Sequence, residues 1–167
     1  DRDRAIDAAM ALFWSQGYEP TSLTQLKSCM GNISPASFYA AFGSKEALFR
    51  EVVQHYLATY GQVMAPLEDE SLAPRDAIER TLRGSARMQS ARTHPCGCLI
   101  VAGASNCSPE NEPVQALLAE ERQRTRAGFR ACVKRAIASG ELRDCAATQV
   151  LPDIFTTFLH GMTCEAR

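Results

Sequence analysis

No stretch of eighteen apolar residues occurs in the 167-residue chain, which excludes a membrane-spanning helix of the usual length. The opening Asp1-Arg2-Asp3-Arg4 lacks the pattern of a secretory leader, so a cytoplasmic location is expected. The short signatures of catalysis are missing too: there is no G-x-S-x-G, no H-E-x-x-H and no glycine loop built to cradle phosphate. An enzyme is therefore not expected, nor is a cofactor or a resident metal. An excess of one charge is also absent, with 18 basic against 19 acidic residues. Within residues 1–50, Arg2, Arg4, Lys27, Lys45 and Arg50 stand against Asp1, Asp3, Asp7, Glu19 and Glu46. Any nucleic acid would be held by a few aimed contacts and by helix N-termini rather than by a broad positive field.

Cysteine is plentiful by contrast. Cys29, Cys96, Cys98, Cys107, Cys132, Cys145 and Cys164 make an odd set of seven, and without a leader they point to reduced thiols rather than a disulfide framework. A hydrophobic share of 46% over this length suffices for one good core or two small ones. The first residue is not Met and Arg167 falls in a helical pattern, so further residues are expected at both ends.

The most informative stretch is residues 21–49, TSLTQLKSCMGNISPASFYAAFGSKEALF. Ser22 is placed to cap a short helix whose apolar face is Leu23, Leu26 and Cys29, with Met30 close behind. Gly31 and Asn32 tolerate the left-handed backbone that closes such a helix. Ser34-Pro35 restarts one, Ser as cap and Pro at the first helical position. In this second helix, residues 35–42, Phe38 and Phe42 share a face, which leaves Ser34, Pro35, Ala36, Ser37, Tyr39 and Ala40 to point elsewhere. Small residues at a helix N-terminus let its backbone approach base edges in a major groove. Gly43-Ser44 ends that helix and caps the next. Lys45 in the following first turn opposes the helix dipole, which is easier to understand with a phosphate nearby. The pattern is that of a helix-turn-helix.

These residues resemble the tetracycline-repressor (TetR) family of bacterial transcription regulators. The resemblance runs through Ala9, Leu12-Phe13, Gly17-Tyr18, Thr21-Ser22, Ser34-Pro35, Phe38-Tyr39, Phe42, Ser44-Lys45-Glu46 and Leu48-Phe49, in the family's order and spacing. It implies an all-α protein: an N-terminal helix-turn-helix domain of three helices at residues 1–44, and a helical effector-binding and dimerisation domain at residues 45–167 that begins with a connecting helix at 45–65. It implies that Thr21, Ser22, Tyr39 and Lys45 contact phosphates and that Ser34, Pro35, Ala36 and Ser37 approach bases. Two positions depart from the family, Ala36 where many members have Gly and Ala41 where many have a phosphate-contacting His.

Around this core, helices are expected at residues 3–16, 45–64, 75–91, 114–139 and from about 144 onward. Trp14 is expected in the core. The apolar run of residues 96–104 predicts a buried helix and resembles a Gly-Cys-Leu segment of one family subgroup. Arg122, Arg126, Arg130 and Lys134 recur every four residues, the spacing of a solvated face or of a surface for an acidic ligand. Ile154, Phe155, Phe158, Leu159 and Met162 give the last helix a wide apolar face, which in the family pairs with a second copy as a four-helix bundle. His160 is expected at that interface or on the surface.

The reading is a ligand-responsive repressor, a homodimer on a palindromic double-stranded DNA operator. Half-sites would lie about 34–36 Å apart, or at multiples of that, and an unidentified small-molecule effector would release the DNA. Its pocket is expected among Tyr56, Tyr60, Met64, Met88, Phe129 and Phe158. Two alternatives stay open: a thiol- or metal-sensing repressor using Cys96 and Cys98, and a helical protein-interaction module.

Overall fold

The computed structural model describes residues 2–104 and 107–167, and every regular element among them is helical. Helix α1 spans Arg2–Gln16, α2 Leu23–Cys29, α3 Pro35–Phe42 and α4 Lys45–Ala58. A 3₁₀ segment, Tyr60–Leu67, leads to α5, Pro74–Ser90. The short α6, Leu99–Ala104, and a 3₁₀ turn, Pro109–Asn111, precede the long α7, Glu112–Ala138. The chain closes with α8, Ala146–Gln149, and α9, Leu151–Ala166.

Local chemistry sets the first four elements. Ser22 accepts from the Gln25 amide while the Gln25 side chain accepts from the Ser22 amide, a reciprocal cap that satisfies two otherwise orphaned donors. Gly31 and Asn32 both take left-handed backbone, φ 89° and 59°, and turn the chain into α3. Ser34 and Ser44 cap α3 and α4 by accepting from Ser37 and Ala47 amides.

Two expected boundaries moved. The connecting helix stops at Ala58 rather than near residue 64, because the Thr59 hydroxyl donates to the His55 and Tyr56 carbonyls, competing for the acceptors that a continuing helix would use. Beyond it the backbone tightens to 3₁₀, with Pro66 inside. The last helix divides at Val150, where Pro152 lacks the amide to continue α8 and serves instead in the first turn of α9.

The larger apolar cluster is not confined to the three-helix unit. Phe13, Tyr18, Phe38 and Phe49 pack with Val52, Val53 and Tyr56 of α4, and then with Leu99, Ile100, Val114 and Leu118 of α6 and α7. Phe13 and Tyr18 both lie 5.0 Å, ring to ring, from Phe49 in edge-on contacts. Trp14 is buried as expected. Its indole donates to the Gly97 carbonyl at 3.2 Å and its ring meets Tyr56, Tyr60 and His94. A second, smaller cluster joins Leu67, Ala77, Phe129, Cys132 and Leu159.

Candidate nucleic-acid interface and the cavity behind it

Helix α3 lies on the surface with its two large side chains turned inward. Phe38 is fully buried and Phe42 nearly so, while Ser34, Pro35, Ala36, Ser37, Tyr39 and Ala40 are exposed. Fully burying a Phe side chain contributes about 1.5–3 kcal/mol, so these two rings fix which face of the helix looks outward. That outer face is nearly bare backbone. Tyr39 is half exposed, its ring braced edge-on against Phe38. Ser22 is exposed at the start of α2.

Thr21 is a correction. It is completely buried and its hydroxyl donates to the Gly17 carbonyl at 2.7 Å, so it fixes the loop before α2 rather than reaching outward. Lys45 is half-buried, its Nζ 4.3 Å from the centre of the Tyr18 ring and 3.4 Å from the Glu19 carbonyl. Desolvation pulls its pKa down, against the attraction of Glu19. Glu19 in turn accepts from the Ser108 amide and the Asn111 side chain, bonds that hold its carboxyl below the usual range.

A cation that sequence spacing did not reveal stands at the other end of α3. Arg2 donates to the Ala41 carbonyl at 2.9 Å, pairs with Glu51 at 2.6 Å and lies 4.8 Å from the centre of the Phe42 ring. The carbonyl end of a helix favours a cation, so a positive charge sits beside Ala41, the position where the family's His is missing.

At the end of α4, the 3₁₀ segment, α5, α6, α7 and α9 join it in lining a partly open cavity of about 280 Å³, at the small end of ordinary ligand sites. Tyr56, Met64 and Met88, three of the six residues named for an effector pocket, line it. Three other residues expected there lie elsewhere. Phe129 is fully buried in the second cluster against Phe155, Tyr60 is turned to Trp14 and His94, and Phe158 is 59% exposed on the outside of α9. Periodicity gives the faces of a helix but not which neighbour covers each one. Cys98 is on the wall, where the Tyr56 hydroxyl donates to its Sγ at 3.4 Å. Burial, and then Cys98, push the Tyr56 pKa up.

Arg122 and His160 also line the cavity, contrary to the surface positions expected for both. The signal for Arg122 was present. Leu118, Arg122, Thr125 and Phe129 recur at spacings of four, three and four, the inward stripe of α7.

A family model described as bacterial regulatory proteins, tetR family, matches residues 5–52. A second, the tetracyclin repressor-like C-terminal domain, matches residues 74–166. The chain belongs to the TetR family. It is 29% identical to the HTH-type transcriptional repressor ComR of Escherichia coli K12, over 100% of this chain and 80% of that protein. It is 26% identical to the repressor BdcR of the same organism, over 99% and 78%. Among solved structures it is similar to a cysteine mutant of the TetR-family regulator CifR complexed with 26-base-pair operator DNA: 38% identity, TM-score 0.89, covering 99% of this chain and 86% of that one. The TetR-family chain is thus a DNA-binding transcriptional regulator and not an enzyme. Among its described residues no helix is long and apolar enough to cross a membrane.

In this TetR-family chain the cavity and the helix-turn-helix share a wall. Tyr56 lines the cavity and packs edge-on against Trp14 of α1 at 4.9 Å. The Gly97 carbonyl that receives the Trp14 indole proton sits where φ is +82°, with Thr163 of α9 so close that an added Cβ would fall 2.8 Å from its methyl. Only glycine fits there. The last helix is therefore seated on the first through one small loop.

Proposed function

We propose that the chain is a ligand-responsive repressor that binds a palindromic operator as a homodimer in the cytoplasm and leaves it when a small molecule enters the cavity. Residues 1–44 carry the DNA contacts and residues 45–167 the effector site and the dimer interface. The observation that carries this reading is the exposed, small-residue face of α3, packed on α4, whose Tyr56 lines a partly open cavity. Ser34, Pro35, Ala36 and Ser37 approach base edges, and Ser22, Tyr39 and Lys45 meet phosphates, Lys45 by swinging off the Tyr18 ring.

Dimerisation is supported by the outer face of α9, where Ile154 and Phe158 are more than half exposed and Val150, just before the helix, is nearly so. A bare apolar stripe of this kind is normally covered. One recognition helix reads too few base pairs to find an operator, whereas two on a twofold axis read a palindrome. The 26-base-pair duplex bound by the CifR mutant has room for two half-sites a helical turn apart. An effector that fits only one separation of the two recognition helices shifts the population away from the DNA-bound state.

A thiol-sensing variant has one observation in its favour: Cys98 lies on the cavity wall against the Tyr56 hydroxyl, though Cys96 does not line the cavity. Replacing Cys98 by Ser separates the two, abolishing the response only if the thiol reacts. The primary experiment is selection of bound sequences from a random duplex library at low salt. A palindrome with half-sites one turn or a multiple apart is expected; recovery of no preferred sequence would overturn the repressor reading in favour of a protein-interaction module.

A further inference from the structure

Arg122 lines the cavity from α7, and its buried Nη1 has no hydrogen-bond partner among the described residues. The neighbouring arginines of the same helix are engaged: Arg124 with Glu121 at 3.5 Å and Arg126 with Asp153 at 2.6 Å. A buried guanidinium nitrogen left unpaired is costly, because it has lost water and gained nothing in exchange.

The groups around it define what would satisfy it. His160 of α9 faces the same space, half-buried, and burial followed by the charge of Arg122 pulls its pKa down, so its ring is a neutral donor or acceptor. Gln89 is committed, accepting from the Thr163 hydroxyl at 2.8 Å and donating to the Leu159 carbonyl at 3.5 Å. Glu121, the carboxylate on this wall, already has Arg124 as counter-charge, and Glu68 is exposed at the edge. The remaining wall is apolar, with Tyr56, Met64, Met88, Ile100 and Leu159 contributing.

Taking the cavity as the effector site proposed above, we infer that its ligand is a small organic carboxylate: an apolar body against the Tyr56 and methionine side, and an acid group accepting from the Arg122 guanidinium beside His160. Arginine suits this task because its planar fork matches the two oxygens of a carboxylate. A cationic ligand would meet Arg122 with only the exposed Glu68 at the edge and the already paired Glu121 to offset it.

The test is direct calorimetric titration of the full chain, without DNA, with hexanoate, benzoate and 3-phenylpropionate, each beside its amide and its corresponding amine. At least one carboxylate is expected to bind at least tenfold more tightly than its amide. Arg122→Met is expected to lose that preference, Arg122→Lys to regain only part of it. In the absence of ligand, Arg122→Met should melt at or above the temperature of the unsubstituted chain, since it removes an unpaired buried charge. Equal binding of acid and amide, preference for the amine, an unchanged Arg122→Met affinity, or no binding by any carboxylate would each overturn the inference. Because the titration contains no DNA, its outcome is independent of operator selection. A chain that finds a palindrome and is released only by neutral molecules keeps the repressor reading and loses this one.

Discussion

The three-helix unit and the α5–α9 region place their bulky apolar groups in opposite ways. In the first, Phe13, Phe38 and Phe42 all turn inward, and the exposed helix presents serines, alanines and one tyrosine. In the second, a cavity remains open inside while Ile154 and Phe158 face outward. One region is packed solid behind a face thin enough for its backbone to come close to a surface. The other is incomplete on two sides, the sides to which the effector and the second subunit are assigned in the proposed function.

The comparison is broken most severely by hollowing the packed region. Phe38→Ala removes a fully buried ring and should cost about 3–5 kcal/mol, read as a lowered denaturation midpoint with loss of operator binding. An unchanged midpoint would mean the unit tolerates a void and is not rigid. The next effect comes from the incomplete side. Phe158→Glu places a charge on the bare stripe of α9 and should yield a monomer by light scattering, with operator affinity down at least roughly tenfold, about 1.4 kcal/mol. A dimer that survives this change would place the interface elsewhere. The smallest effect sharpens the outer face of α3. Ser34→Ala deletes the cap on the Ser37 amide and should cost about 1 kcal/mol of stability. If Ser34 also approaches bases, operator affinity should fall further than the stability loss explains, measured by titration at fixed salt.

How much of this was legible in the sequence follows from the range of the forces involved. Helix α3 lies at the expected residues because Ser34, Pro35 and Gly43 act within one turn of it. The same holds for α2 between Ser22 and Gly31. The cavity was harder, since its walls come from six elements spread along the chain. Tyr56, Met64 and Met88 line it, but Phe129 and Phe158 look alike as apolar residues and differ in outcome, one fully buried and one on the surface. Arg122 was hidden by its place in a four-residue series with Arg126, Arg130 and Lys134, when its spacing of four from Leu118 and seven from Phe129 was the stronger cue. Thr21 resembled a surface contact because the buried acceptor that holds it, the Gly17 carbonyl, has no side-chain signature.

Leu118 and Val114 of α7 complete the apolar cluster that begins at Phe13, and Gly103 of α6 lies so near Leu118 and Phe49 that a Cβ would sit 3.3 and 3.6 Å from them. The reading head is thus not a detachable cartridge. Cut away after α4, it would leave Phe49, Val53 and Tyr56 facing water. Exchanging it between relatives would require carrying the matching surface of the two later helices along with it.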